Sequence, residues 1–336
     1  MPSRTASTST FSRGDANHGS QGLPARATAA CWETTVDDLK RQMEAARSGA
    51  LAVAAPELSA LVVTGADRVT WLNGLVTCEL AKRSTGDAVY GLHVEKKGRI
   101  VSDLYVVLDA DRVVVALPAN VAEAVRTSLD HYLVMEDADL AAADFDVWFV
   151  HGPRSGRVVE AARSVGGVGG LLDRTGLGGA IVLAPPEARD RVRAALEATA
   201  TIGDAAGWEA LRLERAVPAF GVDFDGASYA QEAGLEKTAV SFSKGCYLGQ
   251  EVVCMLEMRG HVKKKLASIV MDGAPPARGA DVADATGLKV GDVTSAIASP
   301  LLGRTVGLAM VKRGSADVGT PLSIGGRPAI VVERPA

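Results

Sequence analysis

The chain has 336 residues, enough for two or three domains with a sizeable core, and its 47% apolar and 23% charged content is that of an ordinary soluble globular protein. A net charge of -4 and 4% aromatic residues disfavour wholesale binding to nucleic acid or anionic membrane, and no apolar run is long enough to span a bilayer. Its four cysteines (Cys31, Cys78, Cys246, Cys254) fit no zinc spacing, and its five histidines form no H-x-x-x-H pattern, so neither a metal site nor a secreted disulfide framework is expected. Reduced thiols in a reducing compartment, the cytoplasm, are the simplest reading.

Residues 1–32 are rich in Ser, Thr, Ala and Gly without hydrophobic periodicity and read as a disordered tail. The tail has the arginine bias of a weak transit peptide, which would place the protein in the mitochondrial matrix instead. Thr35 can cap a helix whose face is Val36, Leu39, Met43 and Ala46 and which Gly49 ends. A strand is expected around Ala60–Thr64, then a short helix capped by Asp67 that runs to Leu75. Strands at Tyr90–Val94, Arg99–Leu108 and Arg112–Leu117, separated by Lys96-Lys97-Gly98 and Asp109-Ala110-Asp111, predict an antiparallel meander. Asn120 can cap a helix over Val121–Tyr132. Strands around Ala138–Ala141 and Asp146–Val150, a helix Arg154–Ser164, a strand Ala180–Leu183 and a helix Pro186–Ala198 follow. Between them lies Gly166–Gly179, expected to be a flexible connection. It runs from helix to strand, the reverse of a dinucleotide loop. Asp204 caps a helix through Trp208, Leu211 and Arg215. From Leu266 onward, short apolar runs alternate with Gly, Pro and Asp turns, the pattern of a small β-barrel.

The densest motif is Lys244–Glu251, K-G-C-Y-L-G-Q-E, read as the start of a helix over Gln250–Met258. A thiol beside a helix N-terminus and a lysine ionises more readily than a free one, so Cys246 is a candidate for redox, metal or nucleophilic chemistry. The plainer alternative is a small buried side chain. Glu214, in L-R-L-E-R-A-V-P-A-F-G-V-D, is either a carboxylate for a bidentate ligand bond or a partner of Arg212 or Arg215. Asp103, in G-R-I-V-S-D-L, is either a proton-handling group or an ordinary strand residue.

The octapeptide resembles the signature of the YgfZ family, folate-binding proteins related to the glycine-cleavage aminomethyltransferase (T-protein). W-L-N-G-L-V-T (Trp71–Thr77), the Asp103 and Glu214 segments and the C-terminal pieces G-D-V-T-S-A and S-P-L-L-G-R-T-V-G-L-A-M-V also resemble that superfamily. Two departures stand out. Met255 occupies a position usually Arg or Lys, with Arg259 available as a substitute, and Ser102-Asp103 replaces an Asp-Asp pair.

The resemblance implies an α+β fold: two interleaved α+β subdomains around a central folate channel (33–262) and a C-terminal β-barrel (263–336). It implies tetrahydrofolate as cofactor, held by Glu214, Lys244, Tyr247, Gln250, Glu251 and Arg259, with Cys246 and Asp103 as the reactive groups. Iron–sulfur client enzymes, some of them tRNA-modifying, and cluster-assembly proteins are the implied partners of a monomer. An aminomethyltransferase is the alternative. An RNA- or protein-binding module without folate is a third reading, kept open by Met255 and by the basic cluster of Arg259, His261 and Lys263-Lys264-Lys265.

Overall fold

A computed structural model of the chain describes residues 34–260 and 262–333. The tail expected over 1–32, and His261 of the basic cluster, lie outside the described residues.

Helix α1 (Val36–Ser48) begins as expected, with the Thr35 hydroxyl accepting the Asp38 N–H at 3.1 Å. It buries Met43 and Ala46 together with Gln42, while Val36 faces solvent. Strands β1 (Leu51–Ala54) and β2 (Leu58–Thr64) and helix α2 (Arg68–Asn73) follow. Asp67 precedes α2 without capping it; its carboxylate accepts the N–H of Asp137 at 2.9 Å instead. The predicted meander is present as β3 (Ala88–Val94), β4 (Ile100–Leu108) and β5 (Val113–Pro118). Helix α3 (Ala122–Asp130) starts after Val121 with no side-chain cap, so Asn120 lacks the predicted role. Strand β6 (Asp139–Ala143) returns beside β2 and completes a five-stranded sheet of order β3-β4-β5-β2-β6.

The second sheet is built from β7 (Asp146–His151), α4 (Ser155–Ser164), β8 (Val168–Leu171), β9 (Gly179–Ala184), α5 (Arg189–Thr199) and β10 (Thr201–Gly203). Its order is β10-β1-β7-β9-β8. Strand β1 therefore leaves its neighbour in sequence and pairs with β7 and β10, which is how the two halves interleave. Strand β8 corrects the reading of Gly166–Gly179 as mere connection. A Cβ on Gly169 would lie 2.4 Å from the Ile181 carbonyl oxygen, and one on Gly170 would lie 2.6 Å from that of Gly86. Close backbone approach requires glycine there, and glycine hides the strand from propensity.

Each sheet has two buried faces. On β3 and β4, Tyr90, Leu92, Tyr105 and Val107 face Val147, Ile181 and Leu183 of the other sheet. The alternating residues Leu104, Val106 and Leu108 pack with Leu72, Val125 and Leu129 of α2 and α3. Val150 and Val182 pack under α4 and α5 on the far side. The result is helices, sheet, sheet and helices in layers, with a shared core between the sheets.

Helix α6 (Ala205–Glu214) is capped by Asp204, whose carboxylate accepts the Gly207 N–H at 2.8 Å. After an irregular stretch comes α7 (Gln250–Arg259). Six strands then close the predicted barrel: β11 (Lys264–Met271), β12 (Asp281–Ala283), β13 (Lys289–Ala298), β14 (Thr305–Lys312), β15 (Pro321–Ile324) and β16 (Arg327–Val332). Pairing of β16 with β11 closes it.

Candidate functional site

The sequence motifs sort into three places. The first is a seam between the octapeptide and the end of α2. The Lys244 ammonium, nearly sealed from solvent, donates to the carbonyls of Asn73 (2.6 Å), Val76 (2.8 Å) and Cys78 (2.6 Å). All three of its protons are committed to the W-L-N-G-L-V-T segment and the cysteine that follows it. Burial pushes its pKa down to about 8, so it still carries its proton at neutral pH. The Leu248 N–H donates to the Gly74 carbonyl at 3.0 Å, and the Thr77 hydroxyl donates to the Ala239 carbonyl at 2.6 Å. Two motifs about 170 residues apart are thus zipped together. Gly249 is required twice over. Its φ is 77°, and a Cβ would stand 2.5 Å from the Glu95 carbonyl oxygen.

Cys246 is an exposed free thiol. It sits three residues before the α7 cap, Gly249, rather than within the first helical turn, which removes the helix-terminus argument for its ionisation. It is also not the small buried side chain of the plainer reading. The Tyr247 ring is buried with the Lys244 ammonium 5.2 Å from its centroid, and its hydroxyl has no partner among the described residues. Gln250 is half-buried; Glu251 and Arg259 are exposed, as are Met255 and Met258 on the same helix.

The second place is the core between the sheets, around Asp103. Asp103 and Tyr105 are two apart on β4 and share a face, while Tyr90 is the register partner of Tyr105. Tyr90 donates to Asp103 Oδ2 at 3.1 Å, and Tyr105 approaches the same oxygen at 3.5 Å. Oδ1 has no partner. Arg174, from the segment after β8, donates to the Tyr105 hydroxyl at 2.5 Å and to the Pro218 carbonyl at 3.0 Å, and stacks 4.0 Å over the Tyr90 ring. Burial raises the Asp103 pKa, and the Arg174 charge opposes that rise without cancelling it. Phe149 lies 4.8 Å from Tyr105, and His151, next on the same face of β7, stacks on Trp208 of α6 at 4.5 Å. Burial drives the His151 pKa down to about 3, so its imidazole is neutral. Sequence reasoning singled out only Asp103 here. The register of the meander could have found Tyr90 and Tyr105, but Arg174 stands in a glycine-rich run that carries no signal of its own.

The third place joins α6 to the barrel. Glu214 is fully buried and accepts from Arg47 Nη2 at 3.2 Å and from the Ser299 hydroxyl. The ion-pair partner of Glu214 is Arg47 of α1, whereas Arg212 pairs with Glu209 and Asp223. Arg212 grips Glu209 through two 2.6 Å bonds and Asp223 through one of 2.8 Å, and donates to Ser295 of β13 at 3.0 Å. Arg215 donates to the Thr175 carbonyl at 2.7 Å. The Leu301 backbone N–H also donates to the Glu214 carboxylate, which leaves it short of its full set of acceptor sites. Ala216 adopts φ 53°, so the left-handed backbone is kept although the residue is not glycine. Among the described residues, the bonds of Asp103, Lys244 and Glu214 belong to these separate networks.

The comparisons agree with this architecture. The GCVT N-terminal domain matches residues 11–165, and the glycine cleavage T-protein C-terminal barrel domain matches residues 264–336. An aminomethyltransferase from Nostoc sp. is 27% identical over 90% of this chain and 89% of its own length. The tRNA-modifying protein YgfZ from Sodalis glossinidius is 26% identical over 69% of this chain and 74% of its own. The crystal structure of the glycine cleavage system aminomethyltransferase T from Bartonella henselae superposes with a TM-score of 0.76 at 18% identity, covering 88% of this chain and 89% of that one. With both domains in order and the interleaved sheets and closed barrel in place, the chain belongs to the GCVT family, whose members include the aminomethyltransferases and the YgfZ proteins.

Proposed function

We propose that this protein binds tetrahydrofolate between its two sheets and supports the assembly or repair of iron–sulfur clusters in client enzymes, tRNA-modifying ones among them. The observation that carries the folate reading is the buried aromatic cluster in which Asp103 keeps an unpartnered oxygen. A flat, polar heterocycle fits such a setting: rings to stack on, and buried polar atoms to meet its edge. When bound, tetrahydrofolate supplies a carrier for one-carbon units.

The chain's own residues divide the work. Asp103, with its raised pKa, holds or exchanges a proton at Oδ1. Glu214 offers its remaining acceptor sites to an aminopyrimidine edge. A cleft of about 350 Å³, whose lining includes Tyr90 and Ser243, carries Arg83 and Lys237 and suits the dicarboxylate tail of a folate. Tyr247 follows Cys246 on the octapeptide, Gln250 and Glu251 open α7 and Arg259 ends it, a surface where a ligand or client would be met. Lys244 acts by holding that segment in place. The exposed thiol of Cys246 is the group that contacts the client or its cluster.

An anaerobic calorimetric titration with tetrahydrofolate tests the first half, and saturable one-to-one binding is expected. No heat at high micromolar ligand would remove the folate reading. Glu214→Ala should weaken that binding by more than about 1.5 kcal/mol. Cys246→Ala should fold normally yet abolish the in-cell function; full iron–sulfur enzyme activity in a strain carrying only this variant would defeat the second half.

Aminomethyl transfer is the second reading, favoured by the proton-handling environment of Asp103. Against it, the Ser102 hydroxyl donates to the Asp103 backbone carbonyl at 2.8 Å and supplies no second carboxyl. A direct transfer assay separates the two.

A further inference from the structure

The cluster between the sheets holds a second buried polar atom without a partner among the described residues, His151 Nε2. His151 closes β7, registered against Leu51 of β1 and Gly179 of β9, and is 5% exposed. Its ring lies flat on the Trp208 indole, 4.5 Å away and 3° from parallel, and Phe149 stands 6.3 Å from both rings. Nothing in this stack calls for a nitrogen. A phenyl ring would fill the same space against Trp208 and would not strand a buried polar atom. Histidine at this position therefore carries a cost that the fold does not recover from the protein itself, and the plane of the ring, set by Trp208, aims its edge rather than its face.

Resting on the folate reading above, we propose that His151 is a ligand-binding residue whose Nε2 makes a hydrogen bond to one heteroatom on the edge of the bound pterin ring, with Trp208 fixing the plane of the imidazole. The ring is neutral, its pKa held near about 3 by burial, with the Arg174 charge lowering it and the Asp173 charge raising it. A neutral imidazole offers one donor or one acceptor without a buried charge to compensate.

The test compares full-length wild type, His151→Phe and His151→Gln by thermal melting and by anaerobic titration with tetrahydrofolate. His151→Phe should melt at or above the wild-type temperature and bind about tenfold more weakly, and His151→Gln should recover part of the affinity. Affinity within about twofold of wild type in His151→Phe overturns the proposal and leaves the folate reading standing. No binding by wild type overturns both. Should His151→Phe not fold, the wild-type protein decides the matter. With 15N-labelled histidine, the His151 Nε2 resonance should move on saturation with tetrahydrofolate, and an unmoved resonance sinks the proposal.

Discussion

Arg212 and His151 are both buried and polar, yet the interior treats them in opposite ways. Arg212 reaches Glu209, Asp223, Ser295 and the Val217 carbonyl, and Asp223 in turn accepts from Thr294, Ser295 and the Ala219 N–H. The neighbouring region around Asp103 and His151 leaves an acceptor and a ring nitrogen unpaired. Saturation marks a joint: the Arg212 network bolts α6 to the barrel. On the proposed reading, incompleteness in this aromatic cluster leaves atoms for a ligand to meet, because an unpaired buried polar atom lowers stability until something pairs with it.

That contrast can be broken most forcefully at the joint. Asp223→Ala leaves the buried Arg212 charge with only the half-exposed Glu209 as its counter-charge and strands the Thr294 and Ser295 hydroxyls, and should lower stability by about 3–5 kcal/mol in denaturant unfolding. A loss under about 1 kcal/mol would mean that the joint is ornamental. Lys244→Met strips the donor from three carbonyls and should lower stability by about 2–4 kcal/mol, moving Lys244 to the structural side of the contrast. Unchanged stability with weakened folate binding would return it to the ligand side.

The prepared site should show itself in pH dependence. His151 is neutral in the fold down to about pH 3, whereas in the unfolded chain it protonates below about pH 6.5. The unfolded state then holds more protons, so its contribution is complete above pH 6.5 and is lost as the pH falls toward 3. His93, depressed by burial, acts in the same direction. Asp103 and Glu214, raised by burial, act in the opposite one, taking up protons in the fold before the unfolded chain does. His151→Phe should therefore flatten the fall in melting temperature between about pH 6.5 and pH 4. An identical slope would mean that His151 is not sealed. The smallest effect is local. Ala216→Gly relieves a left-handed alanine and should stabilise the fold by about 1 kcal/mol or less, without touching affinity.

Much of the fold was legible because it rests on local rules. The meander of β3 to β5 follows from alternation and turn residues, α1 and α6 from caps at Thr35 and Asp204, and the barrel from short apolar runs between glycines and prolines. Strand β8 was not legible, because its glycines answer to backbones from elsewhere in the chain. Motif reading found Asp103, Glu214 and Lys244 as unusual residues. It did not reveal that Glu214 pairs with Arg47, or that Lys244 spends its protons on a segment far away in sequence.

By itself, the sequence determined the α+β class, the barrel that follows it, the family and the identity of the chemically able side chains. Those depend on periodicity, caps and short motifs, all readable within a few turns of chain. Only the tertiary structure decided which of those side chains are satisfied and which are left open. Tyr90, Asp103, Phe149, His151, Arg174 and Trp208 come from both sheets, a loop and a helix, and burial and pairing are properties of that meeting rather than of any one segment.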